Sequence, residues 1–397
     1  MMWKRNWLSI ATTIFLLGSC FIVGKNAEDS LIKNLIIISA IAVDIKDEEL
    51  LVTIQAIDST AIKNSSTSQL GFILYQESGR TITEAIQKIH TSFSRFIFLD
   101  DVKVILVSEA LAKSRGINDV VNYLFMEQSI SSNTMFFVSK DTSAHNILAM
   151  FTPFQKVSSQ RIVDMIENIK NYSSFAIPVY PNRVKNLLLN YPVVNNVIPY
   201  LRIVGDDEIG MTKENIETYQ PASRITIDGM SYFKNDKLVD YLSNEESQSL
   251  LFLMNNIKGG SIEAGCPQGD GFFSYFIKKS KTSFNVRWNK NSPKITVDVK
   301  VDGRIIESEC KDSFTHPNLE KFRKQLSDQV KDNITILIQK SQSEELDYIG
   351  IGKELYLSEP KKWRKIEKEW FSIYPETPFE VVVDISVTKT GDASSLE

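Results

Sequence analysis

Apolar and polar positions along this chain fall into three patterns. The first is a short unbroken run. Trp7 to Leu17 is almost continuously apolar behind Lys4 and Arg5, and it ends in Leu17-Gly18-Ser19-Cys20. A spanning helix needs ~20 apolar residues, so a run of about a dozen behind a positive start predicts a secretory signal segment. The second pattern has period two. Ile295, Val297, Val299 and Val301 alternate with Thr296, Asp298 and Lys300, and Phe379, Val381, Val383, Ile385 and Val387 repeat it. That is the pattern of half-buried strands. The third has helical spacing. Leu319, Phe322, Leu326, Val330, Ile334, Leu337 and Ile338 make one stripe within Leu319 to Lys340, a long amphipathic helix.

Shorter segments fill the intervals. Asn34 to Asp44 and Glu49 to Ile57 predict two strands about the polar turn Asp44-Ile45-Lys46-Asp47. Thr81 to Phe98 predicts a helix capped by Thr83, with Ile86, Ile89 and Phe93 at helical spacing. Val102 to Ser108 and Thr134 to Ser139 predict strands. Ile117 to Glu127, Arg161 to Tyr172 and Asn182 to Leu189 predict helices. Val193 to Val204 reads as extended and broken by Pro199. Ile225 to Phe233 and Leu238 to Leu242 flank the turn Lys234-Asn235-Asp236-Lys237 as a hairpin, and Glu245 to Met254 predicts a helix closed by Gly259-Gly260.

These elements predict a multi-domain α+β protein of mixed α/β character, with a C-terminal antiparallel sheet packed against the long helix. The expected organisation is a signal peptide over 1–19, a tether over 20–33, an N-terminal α/β region over 34–205 and a C-terminal α+β domain over 224–392. The polar stretch 206–223 is read as the linker between them.

Composition narrows the function classes. With 397 residues, 43% hydrophobic and 24% charged, the chain has the make-up of folded globular domains. The net charge is −4 with both signs interspersed, and no basic block points to nucleic acid. After the N-terminal run the longest apolar stretch, Leu35 to Val43, is nine residues and fits a buried strand.

The cysteines change the picture more. Leu17-Gly18-Ser19-Cys20 resembles the bacterial lipobox, in which the thiol receives a diacylglyceryl group and the chain is cut before it. On that reading Cys20 is the lipidated first residue of a body tethered outside the cytoplasmic membrane, and two or more acyl chains anchor stably. An ordinary signal peptide and an uncut anchor are the alternatives. Cys266 and Cys310 then form an even pair in an extracytoplasmic body, either disulfide-bonded or two separate buried thiols.

No motif carries catalysis. His90, His145 and His316 lack metal-ligand spacing. Gly350-Ile351-Gly352-Lys353 falls short of a phosphate loop, because Glu354 follows the lysine; paired glycines turning the chain between two helices suffice. Asp100-Asp101, Asp206-Asp207 and Glu344-Glu345 are loop or helix-end residues. Trp363 and Trp370, seven apart, lie on one helical face, as core or as an aromatic surface for a partner. The expectation is no catalytic residues, no metal and no cofactor.

Four patches, taken in order, resemble the spore germination C-subunit lipoproteins, the GerAC-like component of nutrient germinant receptors in spore-forming Firmicutes. They are Ile36 to Gln55; Glu84-Ala85-Ile86 through Val102–Glu109 to Val120–Phe125; Gly229 through Phe233–Val239 to Leu242; and Asp347-Tyr348-Ile349-Gly350-Ile351-Gly352 with Tyr356, Pro360, Trp363, Trp370, Phe371, Pro375 and Thr390-Gly391. One departure stands at the start. The family usually carries Trp-Asp after the lipidated cysteine, where this chain has Phe21-Ile22-Val23, with Glu28-Asp29 later. The resemblance implies a three-domain body, lipid-anchored on the outer face of the spore inner membrane. Its implied partners are an integral-membrane A subunit and a transporter-like B subunit, with no chemistry of its own. The competing class is an extracytoplasmic lipoprotein that binds a small ligand or acts on the cell envelope. It predicts a concave pocket with converging polar groups.

Overall fold

The computed structural model describes residues 35–57, 71–188, 197–290, 292–311 and 316–387, without the side chains of 186–188, 316 and 317. Cys20, the signal segment, the tether and Thr390-Gly391 lie outside the described residues.

Two sheets organise the chain. The first has nine strands among the described residues, ordered β3-β2-β1-β5-β6-β7-β8-β9, with β4 added beside β1. Its centre is β1 (Leu35–Lys46), β5 (Val104–Ser108), β6 (Met135–Ser139) and β7 (Val197–Gly205), all parallel. These strands read as continuous apolar runs because both faces are covered: Ile38, Ala40, Ile41, Ala42, Val43 and Val104 to Val107 are all buried. On one flank β2 (Glu49–Ile57) pairs antiparallel with β1 and β3 (Phe72–Gly79) antiparallel with β2, and on the other β8 (Ser223–Lys234) and β9 (Lys237–Tyr241) extend from β7. The helices are α1 (Ile82–His90), α2 (Glu109–Ser114), α3 (Asn118–Met126), α4 (Ala144–Ala149), α5 (Ser158–Tyr172), α6 (Pro181–Leu188) and the short α7 (Asp207–Gly210). A buried polar residue ties them to the sheet. Gln55 on β2 donates to Leu148 O at the end of α4 and to Ser158 Oγ at the start of α5, and accepts from Ser39 Oγ. Burying an amide is tolerable only with such partners.

The second sheet is β10-β11-β12-β13, built from Ser261–Gly265, Phe272–Asn289, Ser292–Ser308 and Phe379–Val387. Its inner face is the alternating set Ile295, Val297, Val299 and Val301, and its outer face carries Lys294, Lys300 and Asp302. The long helix α9 (His316–Ser343) covers the inner face with Phe322, Leu326, Val330, Ile334, Leu337 and Ile338, all buried. Each such side chain contributes roughly 2 kcal/mol on burial. Helix α8 (Asn244–Leu253), closed at its start by a capping box between Ser243 and Glu246, joins the two sheets. Thr282 Oγ1 on β11 donates to Phe252 O, and Lys340 on α9 pairs with Glu246 at 2.9 Å. The buried apolar residues of both sheets form one continuous cluster.

Several sequence expectations give way here. The helix from Thr81 stops at His90, and Phe96–Phe98 instead forms β4, parallel to Leu35–Ile37. The cap is Thr81, whose side chain accepts from Glu84 N at 3.1 Å, because Thr83 already lies inside the helix. Pro199 does not break β7; it sits where the pairing with β8 shifts register, a position that needs no ladder N–H. Gly259-Gly260 does not close α8, which ends at Met254 with Asn255 left-handed; the glycines let the backbone approach the carbonyls of Asn171 and Ser173.

The stretch 206–223, read as a linker, instead connects two neighbouring strands of the first sheet, β7 and β8. Its polar residues bond inward. Asp206 caps α7, and buried Asn215 donates to Phe151 O and Ser223 O while accepting from Ser223 N, all three at 2.9 Å. The first sheet therefore runs through the expected boundary. In the second sheet β13 joins β12 parallel, not antiparallel, because α9 and the helices after it carry the chain back before β13 begins. The sheet is antiparallel in its other pairings.

Candidate functional site

The strand ends of the first sheet create a hollow of about 680 Å³, lined among others by Asp44, Ile45, Leu51, Gln76, Ser108, Glu109, Lys113, Asp141 and His145. It opens where β1, β5 and β6 finish, the carboxyl edge at which open α/β sheets hold ligands. Asp44, at the end of β1, accepts the N–H groups of Ala144 and His145 at 2.9 and 3.0 Å. Those bonds fix the start of α4, which Ser143 also caps through Asn146 N. Burial raises the Asp44 pKa above the usual carboxylate value, with the two backbone N–H groups and Ser108 opposing it. Burial likewise lowers the His145 pKa, opposed by the charge of Asp44. Nδ1 of His145 lies 3.2 Å from Thr53 Oγ1, which accepts from Gln76 Nε2 at 2.8 Å. Glu109 is partly desolvated, but Lys113 and the N–H of Asp141 outweigh this and hold its pKa below the usual value.

This geometry holds backbone more than it offers chemistry. The acceptors of Asp44 go to two amides, and those of Glu109 to Lys113 and Asp141 N. The hollow brings together His145 and Asp44, which sequence spacing left far apart, while His90 lies exposed at the end of α1. His316 begins α9. Among the described residues no group of three or more His, Cys, Asp or Glu could hold a metal ion.

The second constellation is buried under α9. It explains the densest patch of the sequence. Asp347 accepts from Gly350 N, Ile351 N and Gly352 N at 2.9, 2.8 and 2.6 Å, and from Trp370 Nε1 at 2.9 Å. One carboxylate therefore closes the start of α10 (Ile351–Ser358) and pins an indole from 23 residues on. Gly350 has φ +89, which requires glycine. Burial raises the Asp347 pKa to about 6 against the pull of its four donors. After α10 come α11 (Pro360–Ile366), a tightened turn and α12 (Trp370–Ile373). Trp363 and Trp370 are both fully buried with ring centroids 5.4 Å apart, and Trp370 meets Tyr374 at the same distance. They are core, and the helix between them is interrupted by a 3₁₀ turn. The Tyr374 hydroxyl lies 2.7 Å from Ser341 Oγ of α9, fastening the knot to the long helix.

Cys266 and Cys310 are bonded in the structure, with Cα atoms 5.5 Å apart, just beyond the ends of β10 and β12. Cys266 N donates to Gly271 O and Glu309 N to Phe272 O, so the bridge closes the end of the second sheet. Sequence reasoning missed the roles of Asp44 and Asp347. For Asp347 a local signal exists: an acid three residues before Gly-x-Gly can collect the free amides of a helix start. For Asp44 there is none, since Ala144 lies 100 residues away.

Comparison with known proteins places this architecture. The model of the spore germination protein N-terminal domain matches residues 29–203, and the model described as spore germination B3/GerAC like, C-terminal, matches residues 228–391. The stretch between them contains the β7–β8 connection. Spore germination protein KC of Bacillus subtilis (strain 168) is 26% identical over 80% of this chain and 79% of its own length. Spore germination protein B3 of the same organism is 22% identical over 87% and 88%. The crystal structure of the GerBC protein superposes with a TM-score of 0.56 at 18% identity, covering 88% of this chain and 97% of that one, which shows a shared fold. With both domain models matched in order along nearly the whole described body, the chain belongs to the GerAC-like family of spore germination proteins.

Proposed function

We propose that this protein is the lipid-anchored C subunit of a nutrient germinant receptor. In this reading it is a non-catalytic interaction component held by Cys20 on the outer face of the spore inner membrane, beside integral-membrane A and B subunits. The observation that carries the reading is the match, in order, to both GerAC-like domain models over residues 29–203 and 228–391, together with relatives whose names are spore germination proteins. Two features support it. Two of the acids at the strand-end hollow, Asp44 and Glu109, are engaged by backbone amides and by Lys113. The bonded Cys266 and Cys310 suit an oxidising, extracytoplasmic setting.

The test is fractionation of dormant spores and growing cells with the wild-type chain and Cys20→Ala. The wild type is expected in the spore inner membrane, with the A and B subunits captured beside it, and the variant is expected unprocessed or soluble. A variant that stays membrane-bound and normally processed overturns the anchor. Wild type found only in growing-cell membranes overturns the germination role. The hollow at Asp44 and His145 favours the second reading, a body that binds a small polar ligand. A melting temperature raised by a nutrient in wild type but not in His145→Ala would support it.

A further inference from the structure

The helical segment from Pro360 to Tyr374 divides sharply into two faces. Trp363, Ile366, Trp370 and Tyr374 recur at intervals of three and four and are all buried. The opposite face carries Lys361, Arg364, Lys365 and Lys368, all exposed, at the same intervals, with half-buried Glu367 and exposed Glu369 interspersed along the segment, and it ends in Phe371, which is half exposed. Glu359 pairs with Lys362, which lies over the Trp288 ring, so the acid nearest the start of the segment is already engaged. None of the other four cations makes an ion pair among the described residues. The helix immediately before, α10, adds exposed Leu357 and Tyr356. Five cations against three acids, with three exposed apolar side chains, within residues 356–371 stand out on a chain whose net charge is −4.

We propose that this face lies against an anionic phospholipid surface. Lysine and arginine near such a surface are attracted to its headgroups, and exposed Leu, Tyr and Phe beside them enter the interfacial zone, the composition of interfacial amphipathic helices. An acidic protein would match the cations but would leave Leu357 and Phe371 without a role. The contact would turn one side of the body toward the membrane, where a lipid at Cys20 alone leaves orientation open. The inference rests on the membrane-tethered reading for its setting, but on its own residues for its chemistry.

The test uses the full lipid-modified chain on vesicles of phosphatidylcholine alone and on vesicles in which about a third of the lipid is phosphatidylglycerol. Flotation reports the tether, and amine acylation of individual lysines reports the face. Labelling of Lys361, Lys365 and Lys368 is expected to fall about fivefold on the anionic vesicles, while Lys281 and Lys300 on the outer face of the second sheet stay unchanged. The fall should vanish in about 0.5 M salt. A variant with Lys361→Gln, Arg364→Gln and Lys365→Gln alters only exposed side chains; it is expected to float as before, with Lys368 labelled equally on both vesicles. Equal labelling of the floating wild type on the two vesicles overturns the face and leaves the tether standing. Protection by soluble polyglutamate but not by anionic vesicles also overturns it, in favour of an acidic protein. A chain that floats only with the anionic vesicles, protected at the three lysines, supports the face and overturns the tether alone.

Discussion

Asp347 shows how much one side chain can organise. Its two oxygens receive three amides and an indole N–H in a buried site. Asp347→Ala leaves four buried donors without a partner, and each orphan costs about 1–3 kcal/mol, not fully additively. We expect a loss of roughly 4 kcal/mol in urea unfolding, with the C-terminal helices affected first. Asp347→Asn is more informative. The amide can still accept at one atom, but its NH₂ would face the two donors now held by Oδ2, Gly352 N and Trp370 Nε1. The titration has an unusual sign. The folded pKa, about 6, lies above the ordinary aspartate value of about 3.9, so the folded state takes up this proton first. The contribution is full below about pH 4 and is lost as pH rises through 6, so Asp347 opposes the usual acid destabilisation. Unfolding measured at pH 4.5 and 7 should show a more favourable change on acidification in wild type than in Asp347→Asn. Equal changes would refute the assignment.

At the scale of elements, the long helix α9 and the sheet beneath it are the most legible part of the chain. A stripe of period 3.6 and strands of period two each dictate one buried face, and the structure buries those residues against each other. Leu326→Ala or Ile334→Ala at the centre of that contact should cost about 2–5 kcal/mol, the range for deleting a buried aliphatic side chain. Asp332→Ala, on the exposed side of the same helix, should cost little, and comparable losses at all three positions would argue against the packing. The helix ends were less legible. Phe93 and the apolar run Phe96-Ile97-Phe98 continue a pattern that suits a helix by itself. What ends α1 at His90 is the offer of a partner strand at Leu35–Ile37. Pro199 is the reverse case: it reads as a breaker, yet a register shift makes its missing N–H harmless.

At the scale of the whole molecule, the bridge between Cys266 and Cys310 closes a loop with a sequence separation of 44. Chain entropy assigns such a link about 4 kcal/mol. Reduction, or Cys266→Ala with Cys310→Ala, should lower the midpoint of thermal unfolding, and a non-reducing mass measurement should find no free thiol in the folded body. Two reactive thiols would sink the assignment. Because the apolar core is continuous from the first sheet to the second, and α8 packs on both sides, that loss should appear in one transition shared by the two sheets.

The sequence by itself determined what depends on neighbours in the chain: the strand and helix types, the inward face of each, the hairpin at Lys234–Lys237, and the ordered motif residues that mark the GerAC-like family. These rest on side-chain periodicity and turn chemistry, which act over a few residues. Tertiary structure decided what depends on distant partners. Asp44 meets an amide 100 residues away, β13 lies parallel to β12 because a helical crossover separates them, and the polar stretch 206–223 folds inward on Asn215 between two neighbouring strands of one sheet. The basic face from Lys361 to Lys368 belongs to both scales. Its charges were written in the chain, but only the burial of Trp363, Ile366 and Trp370 on the opposite side turned them outward.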